Sequence, residues 1–348
     1  MKQISVLIVD DSAFMRKLIK DFLNEDPRIT VLDTARNGEE AVKKTIQLKP
    51  DVVTMDVEMP VLDGIEAVRE IMNRSPVPII MLSSTTKAGA ENTLLAMEAG
   101  ALDFISKPSG AISLDLHKVK EALIEKVIAV SRVNVTSKTS FRANSQNYET
   151  RVAKKKNELP KLILIGTSTG GPRALQEVVT KLPANIQAPV VIVQHMPPGF
   201  TESLANRLNS LSNVFVKEAE QDDILMPGTV YIAPGGFHLR LIQKAAGKTF
   251  VALDKEPPVG GHRPAVNVLF ESAAKLKNYE KIAVILTGMG SDGTLGLLKL
   301  KESGEATVIA EAEESCIVYG MPKSAVLTEK VDEVVHINSI AAAIQNYL

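Results

Sequence analysis

Two α/β domains, each built on a doubly wound parallel sheet, are what this sequence predicts, and three observations carry that expectation. The chain has 348 residues, enough for about two domains at roughly 100–200 residues each. Short apolar, β-branched runs without alternation, the pattern of strands buried on both faces, recur in both halves. Acidic, hydroxyl and basic side chains then fall just after those runs, where open α/β sheets hold their ligands.

The first strand is ISVLIV, Ile4 to Val9. Ser12 offers a helix cap, and Met15, Leu18, Ile19, Phe22 and Leu23 form the apolar stripe of the helix behind it. Strand TVLDTA follows from Thr30, then a helix from Gly38 to about Leu48, strand DVVTMD ending at Asp56, strand VPIIMLS ending at Ser83, and strand LDFIS before Lys107. A helical stretch from about Leu114 to Val133 closes this five-stranded pattern, giving a first domain over residues 1–125. Residues 126–160 hold the end of that helix and a basic polar linker, rich in Ser, Thr, Asn and Lys and poor in groups to bury. The run Lys154, Lys155, Lys156 has no interleaved aromatic residue for base stacking, so it reads as a solvated tether. The second domain, 161–348, opens on strand KLILI, a glycine-rich turn GTSTGG, and a helix in which Pro172 sits near the start and Leu175, Val178, Val179 and Leu182 face inward. Strands PVVIVQHM and IAVILT, the latter from Ile282, extend its sheet.

Composition narrows the function. With 45% apolar and 23% charged residues the chain is of ordinary globular make-up. Lys and Arg number 40 against 41 Asp and Glu, which argues against a general nucleic-acid or acidic-membrane binder. That balance hides segments: 15 basic and 20 acidic groups in residues 1–125, 8 and 2 in 126–160, and 17 and 19 in 161–348. The lone cysteine, Cys316, excludes an intrachain disulfide framework and a Cys-cluster zinc site. No run approaches 18 apolar residues, and MKQISVLIVDDS places carboxylates directly after the first strand. The expectation is a cytoplasmic protein without direct membrane insertion.

In the first domain Asp10 and Asp11 follow strand one, Asp56 ends strand three, Ser83 ends strand four, and Lys107 with Pro108 follows strand five. Three carboxylates converging in one crevice repel each other unless a cation neutralises them, and such oxygen ligands suit magnesium. Asp56 is then a nucleophile toward a phosphoryl donor, with Lys107 and Ser83 placed to stabilise phosphoryl oxygens. Asp-Asp, MDVEMPVLDG, Ser83 and Lys107-Pro108 together resemble the receiver domain of two-component response regulators. That resemblance implies a (βα)5 fold, phosphorylation of Asp56 by a histidine kinase, magnesium on Asp10, Asp11 and Asp56, and switching through Ser83, Lys107 and the aromatic Phe104.

In the second domain Gly166-Thr-Ser168-Thr-Gly170 fits the Gly-x-Ser-x-Gly nucleophile turn, in the expected strand-turn-helix context. The other reading, a phosphate-cradling loop, lacks the Walker lysine and the dinucleotide fingerprint spacing. A serine needs a base. His195 ends the neighbouring strand; His238 and His262 are rivals in glycine-flanked stretches read as surface loops, while His117 and His336 lie elsewhere. Asp292, in GMGSDG after strand IAVILT, is the orienting acid, and glycines 288, 290 and 293 leave amides available for an oxyanion.

GTSTGGPRAL, the strand ending QHM, YIAPGG, GHRPAVNVLF, LTGMGSDG and VYGMPKSA resemble the catalytic domain of the CheB family of chemotaxis protein-glutamate methylesterases, across residues 161 to about 345. The resemblance implies a Rossmann-like domain with Ser168 as nucleophile, His195 as base and Asp292 as orienter, and with Thr169 and Met289 in the oxyanion environment. It implies demethylation of glutamate methyl esters on chemoreceptors with release of methanol, deamidation of receptor glutamines, and no cofactor for ester hydrolysis. The unphosphorylated first domain is expected to cover the crevice holding Ser168, and phosphorylation to weaken that docking. The competing expectation is a receiver-controlled serine esterase or amidase acting on a small molecule.

Overall fold

A computed structural model describes residues 3–107, 113–133, 135, 159–244, 247–304 and 306–348. It divides into two compact units, Met1–Phe141 and Arg142–Leu348. Pro108 and the Lys154–Lys156 run lie outside the described residues.

In the first unit β1 (Ile4–Val9), β2 (Ile29–Ala35), β3 (Val52–Asp56), β4 (Ile79–Ser83) and β5 (Asp103–Ser106) form one parallel sheet in the order β2-β1-β3-β4-β5. Helices α1 (Ala13–Asn24), α2 (Gly38–Leu48), α3 (Gly64–Arg74), α4 (Lys87–Ala99) and α5 (Ser113–Val130) alternate with the strands. Ser12, Asn37, Asp63 and Thr86 each accept a backbone N–H at a helix start, which fixes where α1 to α4 begin. Strands β3 and β4 are buried along their whole length. Their largely apolar, non-alternating sequences reflect helices on both faces. The strand order reverses between β1 and β3, so the crevice at their carboxyl ends is the ligand position of this architecture.

The second unit carries a seven-stranded parallel sheet, β14-β13-β12-β6-β7-β9-β8. Its strands are β6 (Lys161–Thr167), β7 (Val190–Gln194), β8 (Phe215–Glu218), β9 (Thr229–Ile232), β12 (Glu280–Ile285), β13 (Ala306–Glu311) and β14 (Glu333–Val335). A separate antiparallel hairpin, β10 (His238–Gln243) with β11 (Thr249–Asp254), packs through Leu239, Leu241 and Val251 into the same core. The principal helices are α6 (Gly171–Val179), α7 (Phe200–Leu211), α8 (Val266–Ala274), α9 (Thr294–Glu302), α10 (Met321–Val326) and α11 (Ile337–Gln345). Here the order reverses at β6, flanked by β7 on one side and β12 on the other. The expected doubly wound fold is therefore present in both units, and it puts the carboxyl ends of β12, β6 and β7 side by side. Among the described residues no helix is long and apolar enough to cross a membrane.

Candidate functional site

At the carboxyl edge of the first sheet, Asp10, Asp11 and Asp56 each offer an oxygen within 4.8 Å of the others. Lys107 reaches into the same crevice, its Nζ 2.8 Å from Asp10 Oδ2 and 2.7 Å from Asp56 Oδ2. Asp56 is only 4% exposed. Burial, reinforced by the charge of Asp10, pushes its carboxyl up to about 6 even though Lys107 pulls the other way. Burial also works against the charge on Lys107, but its hydrogen bonds to Asp10 and Asp56 outweigh that and hold it above the ordinary lysine value. One lysine thus serves two buried carboxylates with a third beside them, and an all-oxygen set of this kind fits a hard divalent cation.

Two neighbours sharpen this site. Arg16, on α1, donates through Nη1 to the carbonyls of Asp10 (2.7 Å) and Asp11 (3.0 Å), bracing the acidic loop from below. The Ser83 hydroxyl is fully buried, accepts from Thr93 Oγ1 at 2.6 Å and lies 3.1 Å from the Gly89 carbonyl. It is engaged with the start of α4, so contact with a phosphoryl oxygen requires those bonds to be exchanged. Phe104 is buried on β5, with the Lys126 ammonium 6.0 Å from its ring centre and Lys126 itself paired to Asp103 at 2.5 Å.

The second sheet gathers Asp292, Ser168 and His195 from the ends of β12, β6 and β7. His195 Nε2 lies 2.8 Å from Asp292 Oδ2, and both side chains are nearly buried, at 6% and 5% exposure. Its other ring nitrogen, Nδ1, is buried and makes no hydrogen bond. That nitrogen is free to take a proton from a hydroxyl. Burial tends to push the Asp292 carboxyl up, but the hydrogen bond and charge of His195 and the amides of Asn267 and Val266 hold it below the usual carboxylate value. Asp292 Oδ2 accepts from Val266 N at 2.6 Å and Oδ1 from Asn267 N at 3.0 Å, the first amides of α8. Those amides carry the positive end of the helix dipole, where a carboxylate is best stabilised.

Ser168 opens the turn after β6. Its amide donates to Thr287 O at 3.0 Å, and its carbonyl accepts from Gly171 N at 2.8 Å and from Gln194 Nε2 at 2.9 Å. Gln194 Nε2 also lies 3.3 Å from His195 O, so one buried amide ties the serine turn to the histidine turn. Gly288 is packed against the serine: a methyl group there would come within 2.9 Å of Ser168 Cβ and 3.1 Å of its amide nitrogen. Met289, next to Gly288, is partly buried, and Thr169, next to Ser168, is buried. Thr169 O is in turn fixed by Thr287 Oγ1 at 2.9 Å, and the Thr287 amide by the buried Glu311 Oε2 at 2.7 Å. A serine on the turn after β6 and, after the neighbouring strand, a histidine held by a buried acid are the groups that acyl transfer uses.

The serine turn has its own backbone geometry, and one expectation, the surface-loop reading of His238, needs correction. The left-handed residue of the turn is Gly170, with φ +79°, and Ser168 is not among the residues with positive φ. The left-handed position of this turn is thus taken by a glycine, which tolerates it. His238 is not in a surface loop: it is a fully buried residue of β10, its Nε2 3.1 Å from the Pro257 carbonyl. His262 lies at the site, its ring stacked on that of His195. Of the remaining histidines, His117 is exposed beside Glu121 on α5, and His336 caps α11.

Sequence reasoning also passed over Gln194, Asn267, Thr287, Glu311 and Arg16. Asn267 Oδ1 accepts from Gly293 N (3.0 Å) and Gly296 N (2.8 Å), so it caps α9 while Asp292, just before α9, caps α8. Only Gln194 had a visible signal, a polar side chain at the end of an apolar strand beside His195. Arg16 acts six and five residues back, on Asp10 and Asp11, whereas Asn267, Thr287 and Glu311 act across more than 20 residues.

Fold and sites together define a class: an α/β domain with a carboxylate cluster and a lysine at its sheet edge, followed by an α/β domain with a serine, histidine and carboxylate at its sheet edge. Comparison with known proteins gives the family. Residues 6–117 match the response regulator receiver domain, and residues 163–344 match the CheB methylesterase family. The chain is 56% identical over 344 residues to a protein-glutamate methylesterase/protein-glutamine glutaminase of Geobacillus kaustophilus, covering 99% of this chain and 98% of that protein. Against the protein of the same description from Bacillus subtilis it is 51% identical, covering 98% and 97%. Among solved structures, the CheB methylesterase catalytic domain of Thermotoga maritima is 49% identical, with a TM-score of 0.53, covering 54% of this chain and 99% of that one. The chain belongs to the CheB methylesterase family.

Proposed function

We propose that this protein is a protein-glutamate methylesterase and protein-glutamine glutaminase of bacterial chemotaxis, acting through Ser168, His195 and Asp292 under the control of phosphorylation at Asp56. The observation that carries the catalytic assignment is the His195 ring, held at Nε2 by buried Asp292 with Nδ1 left without a hydrogen bond.

Ser168 Oγ attacks the carbonyl carbon of a γ-glutamyl methyl ester while His195 Nδ1 takes its proton. Asp292 keeps the other ring proton on Nε2 and stabilises the imidazolium that forms. Backbone amides at Thr169 and Met289 receive the oxyanion. The imidazolium returns the proton to methoxide as the C–O bond breaks, methanol leaves, and water deacylates the glutamyl-serine by the same relay. A glutamine side chain passes through the same acyl-enzyme, with ammonia as leaving group. The substrates are methyl-accepting chemoreceptors, and the phosphoryl donor is the chemotaxis histidine kinase.

In the first unit Asp56 Oδ attacks the phosphorus carried on the kinase's histidine, the P–N bond breaks and the imidazole leaves, with Lys107 offsetting charge on the transferred oxygens. Asp10, Asp11 and Asp56 would hold magnesium, which supplies charge neutralisation for the transfer. Lys107 then remains available to the phosphoryl oxygens, and Ser83 joins it once its bonds to Thr93 and Gly89 are exchanged.

The test is methanol release from methylated receptor. Ser168→Ala should abolish it, to below about one part in 10³ of the parent rate, while Asp56 still accepts a phosphoryl group. Retained turnover would remove Ser168 from the mechanism. Rapid hydrolysis of small esters together with inert methylated receptor would favour the small-molecule esterase instead.

A further inference from the structure

A histidine tied at one nitrogen is not yet a positioned base. The hydrogen bond from Nε2 to Asp292 fixes one edge of the His195 ring, but the torsion that turns an imidazole about its Cβ–Cγ bond is broad. Since Nδ1 makes no hydrogen bond, nothing at that edge sets its aim. The ring plane must be set from its faces.

His262 covers one face. Its ring lies parallel to that of His195, at 10°, with the centroids 3.7 Å apart. Face-to-face rings cannot pass a proton between their in-plane nitrogens, so this contact gives His262 no part in the relay through Nδ1. It does restrict rocking of the plane. The segment presenting His262 is itself stiff. Val259 and His262 exchange both backbone hydrogen bonds, each 3.0 Å, across Gly260 and Gly261 at φ +59° and +85°, the geometry of a tight two-residue turn with both central residues left-handed. Arg263 then anchors the chain, donating through Nη1 to the carbonyls of Lys255 and Glu256, both at 3.0 Å, while its own carbonyl accepts from Gly236 N. Three and four residues further on, Val266 and Asn267 supply the amides that hold the Asp292 carboxylate.

One short segment, residues 262–267, therefore grips the base by its face and the acid by its oxygens. We propose that His262 is a positioning residue, whose flat ring sets the plane of His195 so that Nδ1 points at the serine hydroxyl. The inference rests on the serine-hydrolase reading above.

The experiment measures kcat and KM for methanol release from methylated receptor by the full chain, with thermal melting as a check on folding. His262→Phe keeps a flat ring, His262→Leu fills similar space without one, and His262→Ala removes both. Misplacing a catalytic group by about 1 Å can cost roughly 100-fold, so the Leu and Ala variants should lose about 10- to 100-fold in kcat with KM within about 3-fold, while Phe stays within about 3-fold of the parent. Leu as fast as Phe would reduce His262 to a space filler. Phe as slow as Ala would show that its nitrogens take part directly; either result overturns the proposal, as does an Ala variant at parental rate. Ser168→Ala, assayed alongside, separates the two levels: turnover surviving in it overturns the serine-hydrolase reading itself.

Discussion

Asp56 shows what a single buried group costs and why the site keeps it. Its carboxyl, pushed up to about 6 by burial and by Asp10, stands above the ordinary 3.8. Between roughly pH 4 and 6 the folded state therefore holds a proton that the unfolded chain has lost, so stability falls as pH rises through that window, and the penalty is complete above about pH 6. Replacing the charge with an isosteric amide removes the penalty. We expect Asp56→Asn to stabilise the first unit at pH 7 by roughly 1–3 kcal/mol, the loss of the Lys107 pairing taking back part of the gain. Thermal unfolding at pH 7 and pH 5 checks this, because the advantage of the variant should shrink at the lower pH. An advantage that is absent at pH 7 would mean that Lys107 already compensates the carboxylate in full.

At the scale of elements, Asp292, the proposed orienting acid, is held where two helices cap each other. Asp292 supplies the acceptors that α8 lacks at its start, where Ala265 stands at the cap position without a side-chain hydrogen bond. Asn267, on α8, does the same for α9, whose cap position is Gly293. Stability and catalysis are coupled here, since loosening either helix start moves the carboxylate under His195. Asn267→Ala should cost about 1–2 kcal/mol, the usual effect of losing a cap in a buried setting. It should also lower kcat for methanol release several-fold while KM stays near the parent value, because Asn267 faces α9 rather than the substrate. Urea unfolding and steady-state kinetics on the same preparation measure both. A variant that is destabilised yet fully active would show that Asp292 keeps its place without the α9 cap.

For the whole molecule the testable link is between Asp56 and Ser168, which belong to different units. A small phosphoryl donor with magnesium should raise methanol release by the full chain several-fold, and the Asp56→Asn variant should show no response. Chelation should abolish the response to donor and leave the unstimulated rate unchanged, because the proposed relay at Ser168 uses only protein groups while the proposed magnesium site is the acidic cluster Asp10, Asp11 and Asp56 of the first unit. An equal loss of both rates on chelation would contradict that division.

The sequence by itself determined the fold class, the five strands of the first sheet with β6, β7 and β12 of the second, and the side chains that end them. Each follows from local rules: buried parallel strands are continuously apolar, and ligand groups collect at their carboxyl ends. For this reason Asp10, Asp56, Lys107, Ser168, His195 and Asp292 could all be singled out before any coordinates. Only the tertiary structure decided what surrounds them. Strand order, with β12 beside β6, brings Asp292 next to a histidine 97 residues away. That β10 buries His238 while a tight turn lays His262 on the base was equally invisible, because both lie near glycines in the sequence and only packing tells a core strand from an active-site wall. Asn267, Thr287 and Glu311 carry no local signature, since the hydrogen bonds that give them their roles form between segments distant along the chain.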